Sequence, residues 1–399
     1  MNRINRAIPA IVMLLPACAT RAPVAVPLPE PQRPPVDVAQ PGPADIPPIE
    51  LVLDVPVHLP DAPVPLAGFP TGVYANDFEI PIQYHVRVGD FLELFTGRFR
   101  NDFSIWLSRR GRFETMIVDE LRARDLPIEL LHLPLVESGY STSALSRASA
   151  LGLWQFIAGT ARIEGLEVSS WVDERRNPER ATAAALQHLE KLHSQYGSWY
   201  LALSAYNAGP GRVNRALDRR GIGTPTDESS FWAIRDLLPR ETRDYVPLFI
   251  AASVISRYPA LFGFDGVEPQ LPDLYDVVTV PDATDLVVIA EAAGTTEVEI
   301  RRLNPQYIRG VTPPDRSAPI RLPEGLASAF EVAYSAIPPE KRIRVREHIV
   351  RRGETLSAIA ARYGTSVRVI QDANGIRRPD RLQIGQRLRI PVAQTRPSS

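Results

Sequence analysis

Glu137 closes the apolar run LPIELLHLPLVESGY at 126–140. A carboxyl flanked by Leu133, Leu135 and Val136 is partly desolvated, which raises its pKa and keeps its proton on. A protonated carboxylic acid is what a departing glycosidic oxygen needs. Alone, a Glu in this place is far more often a solvated helix end. Its neighbours sharpen the reading: Ser146 nine residues on, GLWQF at 152–156, AYNAGPGRV at 205–213 and ETRDYVP at 241–247. Gly152, Gly209 and Gly211 read as points of close backbone approach rather than ligand contacts. Most glycosidases use two carboxylates. Asp173 and Glu174 are the candidates for a second, but DERRNP reads as a loop and helix start, with both acids solvated or paired with Arg175 and Arg176.

Other chemistries find little support. His188 and His193 stand five apart with neither an HExxH pattern nor a carboxylate partner, which argues against metal-assisted hydrolysis. His132 reads as a packed or surface side chain. Phosphate-cradling and dinucleotide fingerprints are missing from the sequence. The reading calls for no cofactor and no metal.

The elements that must position these residues are helical. Ile105, Trp106, Phe113, Met116, Ile117 and Leu121 recur at three- and four-residue spacing. Asn177-Pro178 pairs a capping side chain with proline at the first helical position, and the helix-forming stretch that follows stops at Gly197. A second strong helix is expected over YVPLFIAASVISRYP, 245–259. No alternating strand pattern of useful length interrupts them. The spacing predicts a mainly α domain at 79–265.

Taken together and in order, these motifs resemble the lytic transglycosylases with a goose-type-lysozyme-like catalytic domain, and their membrane-bound type D branch in particular. The resemblance implies that Glu137 is the single acid/base and that Ser146 positions the substrate's N-acetyl group. It implies that Gln155 hydrogen-bonds the glycan, that Tyr206 and Asn207 line the cleft, and that Tyr245 lies near Glu137. Trp154 stands where many relatives carry methionine; for it and for Tyr206, core packing is the alternative. With one carboxylate the implied route is substrate-assisted. Glu137 protonates the oxygen between N-acetylmuramic acid and N-acetylglucosamine, then takes the proton of the muramoyl C6 hydroxyl, leaving a 1,6-anhydromuramoyl end. The alternatives are a hydrolytic muramidase on the same scaffold and a non-catalytic peptidoglycan-binding scaffold.

Residues 347–392 offer two short strand candidates, HIV and RLRIP, around two short helices, the second capped by Ser366 and ending at Asn374-Gly375. This β-α-α-β order, with GETL, IA, YG and IGQ in place, resembles a LysM module. Such a module implies a glycan groove between Gly353, Thr355 and Leu356 on one side and Arg381–Ile384, including Leu382 and Ile384, on the other. A fainter copy at 275–325 has Pro281-Asp282 in place of Arg352-Gly353 and a longer Thr312–Arg316 connection. It is read as a degenerate LysM-like unit whose glycan binding is left open.

The N-terminus carries an address. Residues 1–17 combine Arg3 and Arg6 with the apolar run Ala7–Leu15, the layout of a secretory signal. Leu15-Pro16-Ala17-Cys18 resembles a bacterial lipobox, with Cys18 as the lipidated residue and the outer membrane, facing the periplasm, as destination. Fifteen of the 39 prolines fall within 21–70, so 18–78 is expected to be a disordered Pro-rich tether. Cys18 is the one cysteine, which excludes an intrachain disulfide framework. A net charge of −1 supplies no broad field for nucleic acid. The expected partners are peptidoglycan glycan strands and, through the lipid, the outer membrane.

Overall fold

A computed structural model describes residues 68–391, apart from 226, 314, 315, 343, 344, 364, 379 and 381. The expected signal, Cys18 and nearly all of the tether lie outside the described residues. The chain divides into two units. The first holds the described residues up to Glu167 together with Glu174–Pro272, and the second holds Val168–Asp173 and the chain from Asp273 onward.

The first unit is helical, as the spacing predicts. It begins with α1 (Val86–Thr96), capped by His85, whose Nδ1 accepts from the Arg87 N–H at 3.1 Å. The long α2 (Arg100–Ala123) buries Phe103, Trp106, Leu107, Phe113, Ile117 and Leu121, a stripe at helical spacing. Ile105 falls off that stripe and is exposed. Two short helices follow, α3 (Leu133–Ser138) and α4 (Ala158–Ile163). Next, α5 (Pro178–Tyr196) is built as its sequence dictates. Asn177 accepts from Arg180 N at 3.1 Å, proline sits in the first turn, and Gly197 ends the helix in the left-handed region at φ 62°. Almost every side chain of α6 (Trp199–Ala208) is buried, because α6 packs on α5, on α7 (Pro210–Arg220) and on α9 (Arg240–Arg257). Between α7 and α9 lies α8 (Ser229–Ile234).

The last helix of this unit starts five residues before the expected Tyr245, and Pro247 lies inside it. Proline has no N–H for the carbonyl of residue 243. That carbonyl instead accepts from Arg235 Nε at 2.8 Å, and Arg235 Nη2 reaches Asp244 at 3.2 Å. Arg87 holds the same Asp244 through two further nitrogens, so the interrupted turn is pinned by buried guanidinium groups.

The second unit contains two antiparallel strand pairs among the described residues. Its first part runs β1 (Tyr275–Val280), α10 (Leu286–Ala293), α11 (Glu297–Leu303), β2 (Ala318–Pro323), followed by α12 (Ala327–Ser335). Tyr275 pairs with Pro323 and Val280 with Ala318. Trp171 and Val172 belong to its core with Val280, Ile289, Ile320 and Phe330. Val172 bridges Tyr307, and the Asp173 N–H donates to the Gln306 carbonyl at 2.9 Å. The second part runs β3 (Val345–Ile349), α13 (Leu356–Arg362), α14 (Val367–Asn374), β4 (Arg387–Pro391), around a small core of Val350, Leu356, Ile359, Ile370, Leu388 and Ile390. Both parts repeat the strand–helix–helix–strand order.

Candidate active site

Glu137 stands in the last turn of α3, a six-residue helix with every side chain buried. Gly139 ends the helix at φ 56°, and a Cβ there would come within 2.4 Å of the Trp106 ring. Ser138 Oγ lies 2.9 Å from the Leu153 carbonyl and 3.1 Å from that of Pro134, tying α3 to the GLWQF loop. The Glu137 side chain is therefore fixed in direction, and the residue is 5% exposed. Tyr245 Oη donates to Glu137 Oε1. Burial pushes the Glu137 carboxyl up to about 8, helped by the nearby charge of Glu241 and opposed by the Tyr245 donor.

The loop opposite is held by bridges between Leu145 and Leu151 and between Leu151 and Phe156. Gly152 makes the predicted close approach, because a Cβ there would fall 1.9 Å from the Arg175 carbonyl. Arg175 braces this loop: its Nη1 donates to the carbonyls of Ser149 (2.9 Å) and Phe156 (3.1 Å). Ser146 is buried, and its Oγ accepts from Ala150 N at 2.9 Å. Gln155 has φ 47°, and its Nε2 donates to the carbonyls of Ala144 (2.9 Å) and Gly152 (2.8 Å). Its Oε1 is buried without a partner among the described residues, an acceptor left for a ligand N–H or O–H.

From α6, Tyr206 sends its hydroxyl to the Trp154 carbonyl at 2.7 Å and stays partly exposed. Asn207 is buried, and its Oδ1 accepts from Thr242 Oγ1 at 2.8 Å. Trp154 is a core residue, fully buried with its Nε1 on Thr182 Oγ1 at 2.9 Å. Two glycine readings need correction. Gly209 needs its positive φ of 86° but faces open space, and Gly211 lies inside α7 without crowding.

The sequence reading missed Glu241, in the first turn of α9. Burial pushes its carboxyl up to about 7, and it bonds to the Asn207 side chain. Its Oε1 is buried without a partner among the described residues. The signal available was its place four residues before Tyr245, one helical turn along the same face. The two acids considered earlier lie elsewhere. Glu174 accepts from Glu167 N at 2.7 Å and Arg180 Nε at 3.2 Å, and Asp173 is buried in the second unit. His188 does have a carboxylate partner, contrary to expectation: its Nδ1 is 2.9 Å from Glu164 Oε1, and Lys191 takes the other oxygen at 2.6 Å. His132 is packed, and burial lowers its pKa to about 3.

Residues 114–226 match the transglycosylase SLT domain family. The chain carries a segment similar to the SLT domain. The SLT match spans Glu137, Ser146, Gln155, Tyr206 and Asn207 and stops before Glu241 and Tyr245, which α9 supplies. Two further families match, the LysM-like domain of the lytic transglycosylase MltD at 275–339 and the LysM domain at 348–391. Membrane-bound lytic murein transglycosylase D of Escherichia coli (strain K12) is 32% identical over 290 residues, 69% of this chain and 62% of that relative. The chain thus spans about 62% of the relative's length. Peptidoglycan transglycosylase gp16 of Escherichia phage T7 is 30% identical over 136 residues, 34% of this chain and 10% of that one. Among solved structures, lytic transglycosylase Slt of Pseudomonas aeruginosa aligns at 25% identity over 39% of this chain and 25% of that one, with a TM-score of 0.30.

In the LysM domain, Gly353 turns at φ 83° into open space and Thr355 caps α13 by accepting from Ala358 N at 3.2 Å. Leu356 needs correction: at 2% exposure its side chain fills the core and cannot face a glycan. Leu382 is partly buried against that core, Ile384 is 69% exposed, and Arg381 lies outside the described residues. In the LysM-like domain the matching loops are tied together. Thr312 Oγ1 accepts from Thr284 N at 2.8 Å and donates to the Asp282 carbonyl at 2.9 Å.

Proposed function

We propose that the protein is a peptidoglycan lytic transglycosylase, cleaving the β-1,4 bond from N-acetylmuramic acid to N-acetylglucosamine with Glu137 as acid and then base. The observation that carries this reading is the buried Glu137 carboxyl under the Tyr245 hydroxyl, pushed up to about 8. Such a group keeps its proton at neutral pH and can take one back. Glu137 gives its proton to the bridging oxygen, the C1–O4 bond breaks, and the muramoyl N-acetyl carbonyl shields the charge at C1. The Glu137 carboxylate then takes the proton of the muramoyl C6 hydroxyl while O6 bonds to C1. The product is a 1,6-anhydromuramoyl end, no water is consumed, and Glu137 is protonated again.

Gln155 Oε1 is the acceptor offered to the glycan, with Ser146 and Asn207 holding the cleft around it and Tyr206 on its wall. Gly353, Thr355, Leu382 and Ile384 offer a second, non-catalytic glycan contact in the LysM domain. The name of the membrane-bound relative supports a place in the cell envelope, and Cys18 with its Pro-rich tether is the proposed link to the outer membrane.

One observation favours a second reading. Glu241 places another carboxyl close enough to act on Glu137, and paired carboxyls are the equipment of hydrolytic glycosidases. A hydrolytic muramidase would use water where the first reading uses O6, so the two differ in product. Both need Glu137. Glu137→Gln is expected to lower muropeptide release from sacculi about 10³-fold while the variant still binds sacculi. Release at the wild-type rate would take Glu137 out of its role.

A further inference from the structure

Arg212, Arg215 and Arg219 lie at i, i+3 and i+7 on α7, and together with Ala216 they form one wall of a surface pocket of about 330 Å³. Leu237, Leu238 and Pro239 form the other wall. Neighbouring arginines have acidic partners: Arg220 with Asp236, and Arg235 with Asp244. Two of the pocket arginines, Arg215 and Arg219, do not: among the described residues neither has a carboxylate within ion-pair distance. Arg212 gives Nη1 to the Ala208 carbonyl at 2.8 Å. Guanidinium groups gathered on one face repel one another, and a carboxylate or phosphate that each can fork onto relieves that repulsion.

The pocket belongs to the same unit as Glu137, and its Pro239 leads directly into α9, which carries Glu241 and Tyr245. The charge of Arg212 acts on Glu241, and that of Glu241 acts on Glu137. A neutral glycan offers nothing to this charge. The short peptide on the muramoyl lactyl group does, since it carries free carboxylates and alanine methyls, and the methyls suit the Leu237–Pro239 wall. The volume is that of a pocket for a small organic group rather than a bare ion.

We propose that Arg212, Arg215 and Arg219 bind the carboxylates of the muramoyl peptide stem, so that the enzyme favours stem-bearing over stripped glycan. This inference rests on the transglycosylase reading. The test uses the whole chain, as wild type and as Arg215→Gln/Arg219→Gln, leaving Arg212 in place because its charge reaches Glu241. Turnover is compared on stem-bearing strands and on strands stripped by an amidase, with calorimetric binding of a free stem tetrapeptide as a separate arm. The expected wild-type preference, as a ratio of kcat/KM, is about tenfold. In the double variant it falls to within about twofold through KM, and an Arg215→Lys/Arg219→Lys variant recovers part of it. Equal thermal unfolding of the three proteins keeps misfolding out of the comparison. A wild-type ratio near one, an unchanged ratio in the variant, or tetrapeptide binding indifferent to the substitutions would overturn the proposal. Inorganic phosphate binding as tightly as the tetrapeptide would also overturn it, leaving a simple anion site. Failure of the wild type to cut either substrate, with tetrapeptide binding that the substitutions weaken, would instead sink the transglycosylase reading.

Discussion

Arg235 donates from Nε to the backbone carbonyl of Arg243 at 2.8 Å, the acceptor that Pro247 leaves without its helical partner. The bond keeps α9 continuous between Glu241 and Tyr245, and thereby holds Tyr245 on Glu137 and Glu241 on Asn207. Arg235→Ala orphans that carbonyl and is expected to cost about 2–3 kcal/mol, with a loss of turnover alongside. Pro247→Ala restores an N–H at the right place. The double variant should therefore recover part of the stability lost by Arg235→Ala, as read by urea unfolding. Costs that simply add would contradict this account of the kink.

Gly152 combines φ +84° with a Cβ position 1.9 Å from the Arg175 carbonyl. The backbone on the far side has no room to yield, because Arg175 also holds Ser149 and Phe156. Gly152→Ala is expected to cost about 3 kcal/mol or more and to displace Gln155. Wild-type thermal unfolding would show that the loop relaxes in a way the contact does not suggest.

The pH dependence follows from Glu137. As general acid it must be protonated, so kcat/KM should hold up to pH about 8 and fall above it. Glu241, pushed up to about 7, titrates with it as a pair, so the descending limb belongs to both groups. For stability the sign is the reverse of an ion-paired carboxylate. The folded chain holds this proton up to about 8, against an ordinary 4.5. The contribution is therefore fully present below 4.5 and is lost as the pH rises towards 8. Glu137→Gln removes the dependence, so the Tm advantage of the variant should grow between those limits and then level off. A Tm difference flat from acid to base would contradict the burial argument.

Ile384 is 69% exposed and precedes Gly385, whose N–H donates to the Val350 carbonyl at 2.8 Å. Ile384→Ser should leave Tm unchanged and lower retention on sacculi several-fold. Retention equal to wild type would remove this loop from the glycan groove.

The helical unit and the two strand–helix–helix–strand parts were legible because their signals are local. Asn177-Pro178 and Gly197 bound one helix by capping chemistry, and the α2 stripe is a matter of spacing. Glu137 was legible as a motif and as a carboxyl at the end of an apolar run. Glu241 was not, since an acid in a first helical turn reads as a favourable partner for the helix dipole. What makes it unusual is burial beside Asn207, 34 residues earlier, and the action of its charge on Glu137, both products of helix packing. Leu356 misled for a related reason: it adjoins Thr355 in the sequence motif, but the helical turn points it into the core. The Glu164–His188 pair likewise joins α5 to residues 24 positions upstream, beyond the reach of any local pattern.

The central claim is that one carboxyl works twice and that O6, not water, closes the reaction. Mass spectrometry of the soluble products from sacculi digested by the whole chain tests it most directly. The account predicts muropeptides ending in 1,6-anhydromuramic acid, 18 mass units below the hydrated form and without incorporation from H₂¹⁸O. Reducing muramic acid ends carrying ¹⁸O would contradict it and assign the Glu137–Glu241 pair to hydrolysis.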